Sequence, residues 1–173
     1  MDSIKPAIIF WAALIALVAL AAGCASAAAK GRNEQARSLK LFAFNYTDRY
    51  LMNITVDGMW MGGASAYKQG GGAMGPRPPR DRTRSHAVEV EWEVSGRYDM
   101  AANSYERMPV ERRTASVPIK FPYPENPNEL VLHFYPDGRV EAEMIGREDN
   151  VFDFRRTPVC DDAAPRGLFC DPA

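Results

Sequence analysis

The chain has 173 residues, with 21 Lys and Arg against 22 Asp and Glu, and 46% of its residues are hydrophobic. This length predicts one domain with a core of its own. The near-neutral charge argues against nucleic acid as a partner, because its recognition normally requires a strong basic excess. It also removes bulk electrostatic attraction to anionic lipid.

The amino-terminal stretch is a short charged start followed by an apolar run. Lys5 precedes the run, which covers residues 7–22 and ends in small residues directly before Cys24. This order of charged start, short apolar segment and small residues is typical of a secretory signal. We therefore predict a signal peptide over residues 1–23. The alternative is an uncleaved helix, since about 20 apolar residues are enough to span a bilayer.

The position of Cys24 resembles the first mature residue of bacterial lipoproteins. In that class the thiol carries a diacylglyceryl group and the new amino terminus carries an acyl chain, and two or more chains hold a protein stably to a membrane. The resemblance implies that Cys24 is lipidated. Because an Asp after the cysteine favours inner-membrane retention and this chain has Ala25 there, it also implies the periplasmic face of the outer membrane.

Residues 24–37 are rich in Ala and polar side chains, and we predict that they form the lipidated amino terminus and a flexible tether. The periplasmic domain is then expected over residues 38–173. Two cysteines, Cys160 and Cys170, remain in it. The periplasm is oxidising, so we predict a disulfide between them. It would close a loop of about 10 residues and stabilise the fold by about 2–3 kcal/mol.

The hydrophobic pattern of the domain favours strands. Residues 88–94 alternate between Val or Trp and Glu, which predicts one buried and one solvated face. The Pro-Asp-Gly-Arg segment at residues 136–139 separates two apolar runs and predicts a hairpin. Further strands are predicted at residues 39–45, 51–56, 113–119, 130–135 and 140–145. Since no long helical period occurs between residues 38 and 160, we predict a mostly β fold, a single antiparallel, sandwich-like domain.

Two segments, residues 62–86 and 97–112, are predicted as long loops, and loops of this length are usually functional or disordered. The first contains six glycines and a Pro-Arg-Pro-Pro-Arg run, and the second is polar. Arg, Tyr and Trp are favoured at interface hot spots, and arginine suits carboxylate or phosphate recognition. The predicted partner-binding residues are Trp60, Tyr67, Arg77, Arg80, Arg82, Tyr105 and Arg107.

The arginines of the first loop are compatible with an acidic protein partner, with lipid head groups near the tether, or with a solvated loop. If the first interpretation holds, deletion of residues 70–84 should weaken partner binding without unfolding the domain.

Motifs that carry chemistry are few. Gly70-x-Gly72-x-x-Gly75 has the letters of a dinucleotide fingerprint, but prolines follow where that motif needs a helix to begin. His86 and His133 have no nucleophile motif beside them, and His133 is predicted on a strand face. We therefore predict no catalytic site, no metal site and no cofactor.

Several segments together resemble a proteobacterial lipoprotein family catalogued as domain of unknown function 3304. The likeness covers about residues 39–145, in the order of the chain. The segments are Asn45–Tyr50, Val56-Asp57-Gly58, Gly62-Gly63, Gly70-Gly71-Gly72, Val88–Val94, Val117-Pro118 and His133–Gly138.

Members of this family often occur beside type VI secretion genes, including genes for lipid-degrading toxins, and some are regarded as immunity proteins. The resemblance implies a periplasmic binding protein that neutralises a type VI secreted effector of the lipase type, such as a phospholipase. A structural or assembly lipoprotein of the envelope or of a secretion machine remains an alternative. An enzyme that uses His86 or His133 is the third function class.

Overall fold

The computed structural model of the chain describes residues 37–154. The expected signal peptide, the lipidation of Cys24 and the Cys160–Cys170 disulfide lie outside the described residues. Within residues 37–154, no helix has the length and apolar character needed to cross a membrane.

The described residues form nine β-strands and one short 3-10 helix, so the prediction of a mostly β fold is confirmed. The strands are β1 (Lys40–Asn45), β2 (Arg49–Val56), β3 (Met59–Ala64), β4 (Gln69–Met74), β5 (Ala87–Asp99), β6 (Ser104–Glu106), β7 (Glu111–Lys120), β8 (Pro127–Phe134) and β9 (Val140–Gly146). The 3-10 helix covers Val151–Phe154.

All nine strands belong to one sheet with the order β3-β2-β5-β7-β9-β8-β1-β4, and β6 pairs with the end of β5. The β1–β8 and β7–β9 pairs are parallel, and the other pairs are antiparallel. The two outermost strands of this order, β3 and β4, approach each other so closely that a Cβ on Gly70 would overlap the Gly63 carbonyl oxygen. The sheet is therefore nearly closed and barrel-like.

This architecture corrects the prediction of an antiparallel sandwich. Alternating strands are compatible with either two packed sheets or one curved sheet, because both bury every second side chain. The parallel pairs join strands that are far apart along the chain, and local turn signals carry no information about them.

The inner face of the curved sheet holds the main hydrophobic core. Val88, Val90, Trp92 and Val94 of β5 all point into it, as their alternation predicts, while the glutamates between them face outward. Trp92 packs edge-on against Phe134 of β8, with 5.4 Å between the ring centroids.

A second hydrophobic cluster lies on the outer side of β1, β8 and β9. Phe44, Tyr46, Val131 and Ile145 are fully buried there, and Val151 of the 3-10 helix packs against them. Strands β1 and β8 are thus buried on both faces, which explains why their sequences read as nearly continuous apolar runs rather than alternating ones.

The predicted loops at residues 62–86 and 97–112 both contain strands, so both predictions are wrong in extent. Residues 62–86 contain the end of β3 and all of β4, and only residues 75–86 connect β4 to β5. Residues 97–112 contain the end of β5, all of β6 and the start of β7. The sequence did not indicate β4 as a strand, because its three consecutive glycines leave no alternation of polar and apolar side chains to detect.

The barrel has two ends that we name by their connections. The loop end carries the turn at residues 57–58, the connection 75–86 and the connection 121–126. The arm end carries residues 46–48, 65–68 and 135–139, together with the β5–β6 hairpin, which extends beyond the barrel as an arm.

Gly70→Ala should lower the free energy of unfolding by about 1–3 kcal/mol, because the added methyl group must displace the β3 backbone. Gly58→Ala is the matched control. Gly58 has a φ of +75° and open space around it, so only backbone strain is added there, about 1 kcal/mol. Urea unfolding of both variants measures the difference, and equal or larger destabilisation by Gly58→Ala would contradict closure at Gly70.

Candidate functional site

The predicted partner-binding residues fall into two separate groups. Trp60, Arg77, Arg80 and Arg82 lie at the loop end of the barrel. Tyr67, Tyr105 and Arg107 lie at the arm end. The two groups lie at opposite ends of the barrel strands, so one small partner-binding surface cannot include both.

The loop end carries several large apolar side chains that face solvent. Trp60 is 65% exposed and Met59 is 44% exposed at the start of β3, and Met74 at the end of β4 is 62% exposed. Phe121, which directly follows β7, is 47% exposed. The arm end also has exposed large side chains, since Met100 is 36%, Tyr105 42% and Val110 56% exposed. Exposure alone therefore does not distinguish the loop end, and its charge must be considered with it.

The arginine-rich connection 75–86 is held against the barrel by hydrogen bonds. The Leu39 backbone N–H donates to the Pro76 carbonyl at 2.9 Å, and the Gly75 N–H donates to the Leu39 carbonyl at 2.7 Å. Further along, Arg82 Nη1 donates to the Glu125 carbonyl oxygen at 2.6 Å. The His86 N–H donates to the Tyr123 hydroxyl, also at 2.6 Å. The connection is therefore anchored at both of its ends and in its middle.

Asp81 organises the centre of this connection. Its carboxylate accepts hydrogen bonds from the Thr83 hydroxyl and the Thr83 N–H and forms an ion pair with Arg84 at 3.0 Å. The Thr83 hydroxyl, the Thr83 N–H and the nearby Arg84 charge lower the pKa of Asp81, so the carboxylate stays ionised.

The connection 75–86 nevertheless has an excess of positive charge. Its four arginines against one aspartate leave a net charge of +3 with His86 neutral. In the described part of the chain, Arg77 and Arg80 form no ion pair, and both are exposed. The loop end thus combines exposed aromatic and thioether groups with free guanidinium groups.

At the arm end, Tyr105 has a structural role. Its ring packs against Tyr50 and Tyr98, and its hydroxyl accepts a hydrogen bond from the Ala66 N–H at 2.7 Å. This contact ties β6 to the turn between β3 and β4. Tyr67 lies in that turn with a φ of +55°, and Arg107 is exposed beyond β6.

The fold changes the meaning of the deletion of residues 70–84. The deleted segment would include most of β4, which pairs with β1 from Lys40 to Phe44. Loss of that strand would open the barrel, so the expectation that the domain stays folded is withdrawn. Point substitutions at the loop end test the same surface without this damage.

The sequence did not predict a buried polar network around His133. The ring is fully buried on the outer side of β8, as expected for a strand-face histidine, and it stacks with Phe44 at 5.5 Å between centroids. Its Nε2 lies 3.0 Å from Glu143 Oε1, and its Nδ1 lies 2.9 Å from the Tyr46 hydroxyl. Lys120 Nζ is 3.8 Å from the other Glu143 oxygen.

This network gives both ring nitrogens of His133 a hydrogen-bond partner. A carboxylate only accepts, so Nε2–H donates to Glu143, and Nδ1 accepts the Tyr46 hydroxyl proton. A cleft of about 400 Å³ lies beside it, lined by Lys120, Val140, Glu141 and Glu143 among others. The arrangement fixes the relative positions of three strands. Tyr46 directly follows β1, His133 belongs to β8, and Glu143 belongs to β9.

Residues that could bind a metal are scattered in the described part of the chain. No group of three or more His, Cys, Asp and Glu side chains with metal-binding geometry occurs among residues 37–154. His86 donates its Nε2–H to the Asp81 carbonyl oxygen at 2.7 Å instead.

Most of the strand-forming part of the chain matches one known protein family. Residues 44–142 match the family described as protein of unknown function, DUF3304. The chain belongs to this family. The match covers more than half of the 173 residues and runs from the end of β1 into β9. It includes Tyr46 and His133 of the buried network and the whole loop end up to residue 126.

No curated protein matches the chain. No solved structure matches it either.

Tyr46→Phe should lower the free energy of unfolding by about 1–3 kcal/mol, because it leaves His133 Nδ1 buried without its hydrogen-bond donor. Tyr98→Phe is the matched control, since it removes a hydroxyl that donates to Asn103 Oδ1 at an exposed site. Its effect should stay within about 0.5 kcal/mol. Thermal or urea unfolding gives the free energy of unfolding of both variants. Equal losses would show that the buried Tyr46–His133 hydrogen bond stabilises the fold no more than the exposed Tyr98–Asn103 hydrogen bond does.

Proposed function

We propose that this DUF3304 protein is a periplasmic binding protein, anchored to the outer membrane by lipid on Cys24, that neutralises a secreted effector of the lipase type. The binding surface is the loop end of the barrel. The observation that carries the proposal is that exposed Trp60, Met59 and Met74 occur at the same end of the barrel as the net positive connection 75–86.

The composition of the loop end supports binding to a protein. Trp and Arg dominate interface hot spots, because each buries a large area and Arg adds several hydrogen bonds. The thioether side chains of Met59 and Met74 adapt their shape to a partner surface. A partner with acidic groups around an apolar patch would complement these features.

The anchoring of the connection 75–86 also supports this role. A loop that is already held in place loses little conformational entropy on binding, and affinity improves when that loss is small. Hydrogen bonds at Pro76, Arg82 and His86 restrict the connection before any partner arrives.

The identity of the partner rests on the resemblance to DUF3304 lipoproteins that are regarded as immunity proteins. A lipid-degrading toxin that reaches the periplasm attacks the membrane to which this chain would be tethered. An inhibitor held at that membrane has a high effective concentration at the site of damage.

Replacement of both kinds of contact should strongly reduce partner capture. In affinity purification of the lipidated protein from its own envelope, Trp60→Ser combined with Arg80→Glu should weaken binding by about 2 kcal/mol or more, which is about thirtyfold. Both residues are exposed, so unfolding by urea should be unchanged. The captured protein is identified by mass spectrometry.

Arg107→Glu at the arm end is the matched control and should retain the partner. Capture lost in Arg107→Glu but kept in the double variant would place the interface at the arm end. A captured lipase whose activity falls when the purified chain is added supports the immunity role. Capture of a stable secretion-machine component alone would instead support the structural or assembly alternative.

A further inference from the structure

The wall of the barrel opens between β7 and β9 near the arm end. Strand β7 pairs with β5 at eight positions, from Ala87–Pro118 to Val94–Glu111. With β9 it pairs only through Ile119–Ala142 and Lys120–Glu143, at the other end of the barrel. A cleft of about 220 Å³ lies in this opening and reaches Trp92 and Phe134 of the core.

The register directs charged side chains into this opening. Arg113 lies opposite Trp92, and Glu111 lies opposite Val94. Directly opposed residues of an antiparallel pair share a face of the sheet. Since Trp92 and Val94 point into the core, Arg113 and Glu111 lie on the inner face of the sheet at its open edge, where their side chains are 42% and 49% exposed. Such positions at the end of a barrel strand are ordinarily filled by apolar side chains.

Arg49 is the most buried arginine of the cleft. Its side chain is only 15% exposed, and its Nε donates to the Ser95 carbonyl oxygen at 2.9 Å. Its Nη2 atom is buried and has no hydrogen-bond partner in the described part of the chain. The nearest carboxylate oxygen is Glu111 Oε1, at 3.7 Å, beyond hydrogen-bond length.

Glu111 is committed mainly to Arg113. Its Oε2 accepts from Arg113 Nη2 at 2.7 Å. That hydrogen bond and the Arg113 charge, followed by the charge of Arg49, lower the pKa of Glu111. The inner wall of the cleft therefore holds two guanidinium groups, those of Arg49 and Arg113, and Glu111 contacts both from beyond the lining residues.

The outer rim holds two arginines against three carboxylates, a net charge of −1. Arg97 pairs with Asp48 at 3.0 Å, and Arg139 pairs with Asp137 at 3.5 Å and with Glu141. Of the charged side chains that line the cleft itself, four are arginines and one is Asp48. The unsatisfied donor of Arg49 lies at the inner wall, near the buried Trp92 and Phe134 pair. An unpaired buried donor is costly, and a bound acceptor removes that cost.

We propose that this cleft binds the oxyanion of a small ligand, a carboxylate or a phosphate, between Arg49 and Arg113. The planar guanidinium groups of Arg49 and Arg113, which both line the cleft, would hold the ligand oxygens. An apolar part of the ligand would lie against Trp92 and Phe134. The cleft volume of about 220 Å³ suits a compact ligand or one acidic group of a larger one.

Trp92 provides a direct signal for occupancy of the cleft. The full chain has three tryptophans, Trp11, Trp60 and Trp92. Replacing Trp11 and Trp60 by Phe leaves Trp92 as the single emitter. This full-length protein is titrated with cyclohexanecarboxylate and, separately, with inorganic phosphate, while potassium chloride holds the ionic strength constant.

At least one of the two probes should give a saturable change in Trp92 emission. Arg49→Gln should weaken that binding about tenfold or more, because it removes a charge-assisted hydrogen bond. Arg147→Gln at the loop end is the matched control and should leave the affinity unchanged. Response to cyclohexanecarboxylate alone identifies a carboxylate ligand, and response to phosphate alone identifies a phosphate-bearing one.

A second variant keeps the test decisive if Arg49→Gln fails to fold. Glu111→Gln removes the competing carboxylate and should tighten binding by about threefold or more. Absence of a saturable response to both probes overturns the proposal. So does weaker binding in Glu111→Gln, unchanged binding in a folded Arg49→Gln, or the same loss in Arg147→Gln as in Arg49→Gln.

Discussion

The close approach of β3 and β4 at Gly63 and Gly70 is the contact on which the rest of the structure depends. A sheet of this length buries its apolar face only if it curls, and it curls fully only if its outermost strands can meet. At Gly70 any side chain would overlap the β3 backbone. The glycine-rich β4 therefore permits the geometry that places Trp92 and its neighbours in one core, and a loop role explains these glycines less well.

A closed inner face leaves strands β1, β8 and β9 with a second buried side. His133 and Glu143 lie there as a buried polar pair, and the Tyr46 hydroxyl completes the hydrogen bonding of the ring. Buried polar groups stabilise a single arrangement only when all of them are satisfied. The network therefore fixes how these strands sit beside one another, and the DUF3304 match includes all of its members except Glu143.

Curling also gives the molecule two ends with different chemistry. The loop end presents exposed Trp60 and Met74 with the arginines of the connection 75–86, which is suited to a large apolar and acidic surface. The anion cleft that we propose lies at the arm end, in the gap between β7 and β9, where Arg49 and Arg113 both contact Glu111. The two proposed binding surfaces are separate because the core of the barrel lies between them.

Much of the architecture is local and could be predicted from the sequence. Strands were predicted from the alternation at residues 88–94, the turn at residues 136–139 and the absence of helical periodicity. The structure has these strands because successive side chains of a strand point to opposite faces, which produces the alternating sequence pattern. Barrel closure, the parallel pairs and the strand character of β4 could not be predicted in this way. They depend on contacts between distant segments, and glycine carries no pattern. The same limit applies to the sites: exposure of Trp60 and the union of Arg49, Glu111 and Arg113 exist only once the sheet has curled.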